Sequence, residues 1–511
     1  MLQLNKFTIT HRYDFRVLID NLTVTINPGD KLALIGEEGN GKSTLLKAIY
    51  DMRLIEDYAE VTGQLINKTI LMGYLPQTMP ESLNDVSINN YLFDMSTLEQ
   101  IDFNLLYQYA SQLGLDSDRF GSHQLLGSLS GGEKIKLQLI KILARDPQLI
   151  LLDEPSNDLD FETLEWLTYF IKNTEKTIIF ISHDETLLTQ TANRLILFET
   201  QHHKKVTKTT LVNLDYDTFI QNRERQFDKD LQIATKQREE HKKQMQRQHQ
   251  IHQAVEHQVR NTHDATAGRL IAKKMKNVLA TQERLHKSTE LFKEIPVKEE
   301  AILVKLRCHQ PLSASKIVLN YQDQSFSNQQ CNISQLGLVV QGQDKIGIIG
   351  ANGIGKTTLL KKIYQDLIKR TDLRVGYMPQ DYSQVLPYDK TPIEFLKRSD
   401  EKDEITLVTT FLGSIRFTYD EMHHTIGELS GGQKAKLLLL KMDLDQVNVL
   451  IVDEPTRNFS PLSQREVRQI FQNFKGCLIV VSHDRLFNQE VCHRHYRLTH
   501  NALERLSNQK Q

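Results

Sequence analysis

The fold of this chain is first indicated by a glycine-rich run, Gly36-Glu37-Glu38-Gly39-Asn40-Gly41-Lys42-Ser43-Thr44. The apolar residues before it are typical of a buried strand, and the residues after it have helical spacing up to Tyr50. A strand, a glycine loop and a helix in this order form a phosphate cradle, because loop N–H groups and the helix N-terminus attract an anion. The pattern returns as Gly350-Ala351-Asn352-Gly353-Ile354-Gly355-Lys356-Thr357-Thr358, which indicates two copies of one nucleotide-binding domain.

Further motifs recur in the same order after each glycine run. They are Tyr74-Leu75-Pro76-Gln77 and Tyr377-Met378-Pro379-Gln380, Leu129-Ser130-Gly131-Gly132 and Leu429-Ser430-Gly431-Gly432, Leu151-Leu152-Asp153-Glu154-Pro155 and Ile451-Val452-Asp453-Glu454-Pro455, and Ser182-His183-Asp184 and Ser482-His483-Asp484. Short apolar runs alternate with helical patterns, which predicts an α/β fold with a mainly parallel sheet in each copy. Residues 78–126 and 381–426 are predicted to form small helical lobes.

The glycine runs carry side chains suited to a nucleotide and its metal ion. Lys42 and Lys356 are predicted to reach the β- and γ-phosphates, and Ser43 and Thr357 to ligate Mg²⁺. A chance glycine turn is the alternative, and the strand and helix on either side argue against it. The sequence therefore predicts two sites for ATP and Mg²⁺.

Each Asp-Glu pair follows a strand that is apolar throughout. The aspartates, Asp153 and Asp453, are placed to hold Mg²⁺ through water, and the glutamates, Glu154 and Glu454, to polarise the attacking water. An acidic pair at a strand end could instead cap a helix. The proline that follows both pairs at the same offset favours the catalytic interpretation.

A different kind of segment separates the two copies. It is rich in Gln, Lys, Arg, Glu and His, and its apolar residues recur at spacings of three, four and seven. We predict two long helices folded back on each other, with a tip at residues 261–268; a disordered charged linker is the alternative. The predicted domains are 1–205 for the first cassette, 206–300 for the helical hairpin linker and 301–511 for the second cassette.

The linker is basic although the whole chain has a net charge of −1. Residues 221–295 contain 16 lysines and arginines against 10 aspartates and glutamates. Residues 265–282 contain four basic residues and no acidic one. Such a segment suits phosphate-backbone binding, whereas a solvated coiled coil, the alternative, usually balances its charges.

Composition restricts the setting of the protein. The four cysteines, Cys308, Cys331, Cys477 and Cys492, form no CxxC pair, which is typical of a reduced chain. No apolar run approaches the roughly 20 residues that span a bilayer. These features predict a cytoplasmic protein without a membrane domain of its own.

The order of glycine loop, LSGG, DEP and SHD motifs resembles that of the ATP-binding cassette (ABC) ATPases. The resemblance implies a monomer in which two cassettes form a head-to-tail sandwich, so that Ser430 would face the nucleotide on Lys42, and Ser130 the one on Lys356. Gln77 and Gln380 match the glutamine that senses Mg²⁺ and the γ-phosphate. His183 and His483 match the switch histidine that contacts the γ-phosphate. Tyr13 and Tyr321 sit where the family stacks an aromatic ring on adenine; exposed tyrosines without this role are the alternative.

The copies differ after the catalytic pair. The first continues to Asp160, close to the family pattern, whereas the second ends in Ser460. This predicts two ATP sites with different hydrolysis rates. A similar departure occurs in some antibiotic-resistance members of the family.

Two cassettes joined by a basic helical linker resemble the F subfamily (ABC-F), whose members act on ribosomes. The resemblance implies that residues of about 216–295 contact ribosomal RNA and the E-site tRNA region and point toward the peptidyl-transferase centre. We interpret the chain as an ATP-driven ribosomal protection protein for antibiotic resistance. A translation factor that relieves stalled ribosomes and the fused ATPase subunit of a transporter remain alternatives. A coiled-coil DNA-maintenance ATPase is disfavoured, because its coiled coil would separate the glycine loop from LSGG within one cassette.

Overall fold

A computed structural model describes most of the chain. The described residues are 2–37, 39–69, 71–95, 98–156, 159–201, 206–261, 265–288, 306–308, 310–322, 324–327 and 331–506. The predicted phosphate-loop residue Glu38, and Asn157 and Asp158 after the first catalytic pair, lie outside these ranges. The chain divides into two compact units, one of Met1–Tyr216 with Ile302–Gln511 and one of Asp217–Ala301.

The first cassette is built on a six-stranded sheet. Its elements are β1 (Leu2–His11), β2 (Val17–Ile26), β3 (Lys31–Gly36), α1 (Lys42–Tyr50), β4 (Ala59–Asn67), β5 (Met72–Leu75), α2 (Ile88–Leu92), α3 (Phe103–Gln112), α4 (Gly131–Leu143), β6 (Leu149–Asp153), α5 (Phe161–Asn173), β7 (Thr177–Ile181), α6 (Glu185–Thr191), β8 (Arg194–Gln201) and β9 (Val206–Val212). The strand order is β5-β6-β7-β3-β8-β9, parallel except for β9. A separate antiparallel sheet, β2-β1-β4, shares an apolar cluster with the main sheet.

The linker region contributes α7 (Tyr216–Asn261) and α8 (Ala265–Ser288). The second cassette then repeats the plan with β10 (Ile317–Tyr321), β11 (Phe326–Ser327), β12 (Asn332–Ile333), β13 (Leu338–Gln341), β14 (Lys345–Gly350), α9 (Lys356–Leu367), β15 (Val375–Met378), α10 (Pro392–Leu396), α11 (Lys402–Ser414), α12 (Tyr419–His423), α13 (Gly431–Leu444), β16 (Val449–Asp453), α14 (Pro461–Asn473), β17 (Cys477–Val481), α15 (Arg485–Val491), β18 (Arg494–Leu498) and β19 (Leu503–Leu506). Its main sheet has the equivalent order, β15-β16-β17-β14-β18-β19.

The predicted α/β fold with two cassettes in tandem is confirmed. In the second cassette, one apolar cluster lies between the sheet and α9, and another lies between the sheet and α13, α14 and α15. The central strands are covered on both faces, which is why their sequences are apolar throughout rather than alternating. Because the carboxyl ends of parallel strands lie at one sheet edge, this arrangement brings the phosphate loop and the Asp-Glu pair together.

The linker begins later than residue 206, its predicted start. Strand β9 pairs antiparallel with β8, from Leu195 with Val212 to Gln201 with Val206. Strand β9 tolerates the polar run Thr207-Lys208-Thr209-Thr210 because it is the edge strand of the sheet. Residues 206–212 therefore complete the sheet of the first cassette.

The unit of residues 217–301 contains the long helices predicted for the linker. At about 1.5 Å per residue, the 46-residue α7 is about 69 Å long. The predicted tip begins where α7 ends, and residues 262–264 within it lie outside the described ranges. The less exposed side chains in the middle of α7 follow a spacing of three and four, and they are Ala234, Gln237, His241, Met245, Gln248, His252 and Val255. Packing of α7 against α8 as a coiled coil remains a prediction.

Candidate functional site

The two phosphate loops have the same local geometry. Gly41 and Gly355 adopt positive φ values of 85° and 106°, immediately before the first residues of α1 and α9. A Cβ atom at Gly41 would lie 2.9 Å from the Cβ of Leu18, so a larger residue would also clash. Nζ of Lys42 donates to the Gly36 carbonyl at 2.7 Å, and Nζ of Lys356 to the Gly350 carbonyl at 2.8 Å. Both lysines therefore lie over the loop that would receive phosphate.

A hydroxyl group and an aspartate meet beside each lysine. Ser43 Oγ donates to Asp153 Oδ1 at 3.0 Å, and Thr357 Oγ1 donates to Asp453 Oδ2 at 2.7 Å. Burial raises the pKa of Asp153 to about 6 and also raises that of Asp453. Asp153 Oδ2 is buried without a hydrogen-bond partner among the described residues. Oxygen donors that are buried and incompletely satisfied fit Mg²⁺, which prefers oxygen ligands and would favour the charged carboxylates.

Both predicted catalytic glutamates have an unusual backbone. Glu154 and Glu454 each adopt φ of 51°, a conformation that costs a non-glycine residue about 1–3 kcal/mol. Their N–H groups continue the sheet by donating to the carbonyls of Ile181 and Val481 at 3.1 and 2.9 Å. The strain is therefore sustained by the neighbouring strand, and its presence in both copies supports a functional position.

At the first site, predicted residues surround Glu154. Gln77 Nε2 donates to Glu154 Oε2 at 3.1 Å, and His183 Nε2 lies 3.3 Å from Glu154 Oε1. The other ring nitrogen of His183, Nδ1, donates to the carbonyl of Phe459 at 3.0 Å. Phe459 belongs to the second cassette, so the histidine of the first site is held across the interface between the cassettes.

At the second site, the histidine contacts the glutamate differently. The backbone N–H of His483 donates to Glu454 Oε1 at 3.0 Å, whereas the ring atom Nε2 is 3.8 Å from that oxygen. Burial raises the pKa of Glu454 to about 8. Burial, assisted by the positive charge of Lys356, lowers the pKa of His483 to about 4. Both shifts disfavour the charged forms of these two side chains.

The second phosphate loop opens into a cavity of 540 Å³ that both cassettes line. The second cassette contributes its phosphate loop, acidic pair, Gln380 and His483, and the first contributes its LSGG serine and glycines. Ser130 begins α4 with a capping box in which its hydroxyl accepts from the Glu133 N–H at 3.3 Å. The helix N-terminus that faces the cavity favours an anion. The lining also includes His183 and Asp184 of the first cassette's Ser-His-Asp motif. Lining residues that the motifs did not indicate are Ser156, Leu159, Leu164, Thr456, Arg457 and Gln464.

The first phosphate loop opens into a cavity of 600 Å³ with a different boundary. Its described lining comes from the first cassette, and it includes Lys42, Ser43, Gln77 and Glu154. Ser430, Gly431 and Gly432, predicted to face this nucleotide, are outside that lining. The structure thus brings together one of the two predicted composite sites, that of Lys356 with Ser130.

The tyrosines proposed to stack on adenine are placed otherwise. Tyr13 is 76% exposed, and its hydroxyl lies 3.5 Å from the Asp57 carbonyl; His11 and Tyr58, rather than Tyr13, line the first cavity. Tyr321 is 2% exposed and its hydroxyl donates to Asp366 Oδ2 at 2.5 Å. The prediction for Tyr321 is wrong, because its ring is part of the apolar core.

Comparison with known proteins gives the family. The family model described as ABC transporter matches residues 19–157 and 333–457, which together exceed half of the chain. The ATP-binding protein Uup of Buchnera aphidicola is 29% identical over 94% of this chain and 78% of the relative. ABC transporter F family member 2 of Arabidopsis thaliana is 24% identical over 95% of this chain and 75% of the relative. The archaeal ribosome recycling factor aABCE1, solved in complex with the ribosomal stalk protein aP1, has the same fold, with a TM-score of 0.60, 15% identity, and coverage of 98% of this chain and 90% of that one.

The chain therefore belongs to the ATP-binding cassette family, and its two cassettes are ATP-binding domains. Within the family it is an ABC-F-type protein, and it is an ATP-hydrolysing ATPase. Among the helices that the structure describes, none combines the length and apolar character needed to cross a membrane.

Proposed function

We propose that this protein is a cytoplasmic, ATP-driven ribosome-binding protein that protects ribosomes from antibiotics. It binds ribosomes with ATP held between the cassettes, places its linker near the E site and the peptidyl-transferase centre, and leaves after hydrolysis. Ligand-dependent closure of the cassettes is the two-state element that would control the linker.

The hydrolytic part of the proposal assigns roles to the residues described above. Lys42 and Lys356 bind phosphate, and the glutamine and histidine of each site orient the γ-phosphate. Mg²⁺ would be held by Ser43 with Asp153 and by Thr357 with Asp453, where it neutralises phosphate charge. Glu154 and Glu454 accept a proton from the attacking water, which requires their carboxylate form.

The basic surface of the linker carries the ribosome part of the proposal. Side chains that are exposed on α7 and α8 include Lys242, Lys243, Arg247, Arg269, Lys273, Lys274 and Lys276. Residues 265–282, which include the four basic residues on α8, contain no acidic residue. Positive charge concentrated on helices between two ATPase domains is suited to the RNA backbone.

The difference between Asp160 and Ser460 supports two ATP sites of unequal activity. It also supports the resistance role, because a similar departure occurs in some antibiotic-resistance members of the family. Asp160 Oδ1 accepts from the Thr163 N–H at 2.9 Å, and its charge also acts on Lys356 and His483 of the opposite cassette. Ser460 at the corresponding position is uncharged and lies 3.1 Å from Ser463 Oγ. The second ATP site thus has a carboxylate nearby, whereas the position that corresponds to Asp160 in the other copy carries an uncharged serine.

Co-sedimentation tests ribosome binding directly. The Glu154→Gln, Glu454→Gln double variant should pellet with ribosomes when ATP is present and not when it is absent, and added salt should release it. A double variant that stays in the supernatant with ATP contradicts the proposal. A Lys42→Ala, Lys356→Ala variant, which lacks the phosphate-binding lysines, is the matched control and should not pellet.

Expression in a sensitive host separates the two ribosomal roles. Ribosomal protection predicts a raised inhibitory concentration for a drug of the peptidyl-transferase region. Deletion of residues 259–268 should abolish that effect and preserve ATPase activity. If the intact protein changes no inhibitory concentration but restores translation on stalled ribosomes, the translation-factor alternative is correct.

A further inference from the structure

Two buried polar side chains on α14 cross the interface between the cassettes. Gln464 is 4% exposed and Arg468 is 2% exposed. They are four residues apart, so they lie on the same face of the helix. That face contacts the segment of residues 183–185 in the first cassette.

Gln464 holds the backbone around the first-site histidine. Its Nε2 donates to the His183 carbonyl at 2.8 Å and lies 3.4 and 3.5 Å from the carbonyls of Thr456 and Phe459. The Phe459 carbonyl also accepts from His183 Nδ1 at 3.0 Å. One amide group therefore joins the histidine of the first site to the loop that fixes its ring.

Arg468 holds the other end of the same segment. Its guanidinium is 2.7 Å from Glu185 of the first cassette and 2.9 Å from Glu490 of its own cassette. An ion pair buried in this way is costly to break, because either charge would be left without compensation. The segment from His183 to Glu185 is thus fixed at both ends by α14.

The opposite half of the interface cannot make the same bonds. Residues 300 positions earlier on α5 are Leu164, whose side chain has no donor, and Thr168, whose Oγ1 donates to the Leu164 carbonyl at 2.7 Å within its own helix. The residue that corresponds to Glu185 is Arg485, whose guanidinium lies 5.1 Å from the centroid of the Phe161 ring. The pseudo-symmetric cassettes therefore contact each other unequally.

We propose that Gln464 and Arg468 form an α14 clamp that positions His183 for hydrolysis at the first ATP site from the opposite cassette, and that the second site works without an equivalent clamp. The proposal rests on the role assigned to His183 above, but not on ribosome binding. His183 Nε2 is 3.3 Å from Glu154 Oε1, so a small rotation of the ring would move it away from both the glutamate and the γ-phosphate position. Gln464 and Arg468 are positioning residues, since they act through the histidine.

The test measures each site in the full-length protein. Glu454→Gln leaves the first site able to turn over, and Glu154→Gln leaves the second. Gln464→Leu introduces the residue found at the corresponding position of the first cassette, Leu164. Gln464→Glu keeps the shape of the side chain but removes the amide N–H donor. With Glu454→Gln, both changes should lower kcat for ATP about tenfold and leave KM within about twofold. With Glu154→Gln, Gln464→Leu should lower kcat by a smaller factor, about threefold at most, and this smaller effect is expected because Gln464 also lines the second-site cavity. Gln469→Leu, an exposed change on the same helix, is the matched control.

Two further measurements separate the possible failures. The clamp proposal is wrong if kcat of the first site stays within twofold of its starting value after each Gln464 change. It is also wrong if kcat falls by the same factor at both sites and Tm falls as well. His183→Ala with Glu454→Gln should abolish first-site turnover. If first-site turnover persists in His183→Ala, the role assigned to His183 is wrong. If His183→Ala is inactive but the Gln464 changes have no effect, only the clamp proposal is wrong.

Discussion

At the scale of single residues, equivalent positions carry the same chemistry but differ in their contacts. Glu154 and Glu454 share a left-handed backbone conformation, because the strand-to-loop turn after each β-strand is the same. Their side chains nevertheless differ, since Glu154 contacts the Gln77 amide and Glu454 accepts the backbone N–H of His483. These differences arise from neighbours outside the motifs.

The first prediction concerns the two glutamates. Glu454→Gln should lower total ATP turnover at least about threefold more than Glu154→Gln, because in this structure only the cavity of the second site has an LSGG segment in its described lining. Steady-state phosphate release by the single variants measures this. Equal residual turnover would show that the sites are equivalent.

The second prediction concerns the charge after the catalytic pair. Asp160→Ser should lower turnover at the second site about three- to tenfold, since it removes the carboxylate that acts on Lys356 and His483. The variant is measured with Glu154→Gln so that only the second site contributes. Ser460→Asp with Glu454→Gln is its counterpart at the first site. An unchanged second-site rate after Asp160→Ser would mean that Asp160 only caps α5.

At the scale of secondary-structure elements, polar side chains cap the helices that begin beside them, and some of them also contact a second helix. Asp160 caps α5 through the Thr163 N–H and also lies 3.5 Å from Lys136 of α4. The capping boxes of Ser130 and Ser430 fix the first turns of α4 and α13. A rigid first turn presents backbone N–H groups without further ordering cost, which suits a helix that must meet a nucleotide from across an interface.

The third prediction belongs to α8. Lys273→Gln, Lys274→Gln and Lys276→Gln together should weaken ATP-dependent ribosome binding and reduce the dependence of log affinity on log salt by about two, at about 0.7 per lost phosphate contact. ATPase activity without ribosomes should not change. Sedimentation across a salt series gives both quantities. Lys402→Gln with Lys475→Gln, exposed lysines of the second cassette, provides the control, and an equal loss in this control would contradict a specific role for α8.

At the scale of the whole molecule, a buried ion pair joins the two cassettes at their interface. Arg468 bonds Glu185 of the other cassette. Burial raises the pKa of Glu185 even though the nearby Arg468 opposes this rise. Such a pair specifies one relative placement of two domains more than it adds net stability.

The fourth prediction tests that balance. Arg468→Met should cost about 3–5 kcal/mol, because the Glu185 carboxylate loses its partner. Thermal unfolding followed by circular dichroism should show Tm lower by several degrees. Adding Glu185→Leu to Arg468→Met should restore most of the loss, since no buried charge remains. A double variant as unstable as Arg468→Met alone would show that packing, rather than charge, determines the effect.

The sequence by itself determined the two cassettes and their chemistry. Glycine loops, buried strands and acidic pairs are local patterns, because backbone conformation and strand burial require particular residue types within a few positions. The tandem fold, the long linker helices and the placement of Lys42, Ser43 and Asp153 around one loop all follow from such patterns.

Only the tertiary structure decided how the copies meet. The association of β9 with the first cassette depends on its pairing with β8, and its polar sequence carries little sign of this. The burial of Tyr321, the cavity shared by Lys356 and Ser130, and the bonds from α14 to His183 join residues far apart in the chain. These contacts depend on packing between domains, which leaves no short periodic pattern in the sequence.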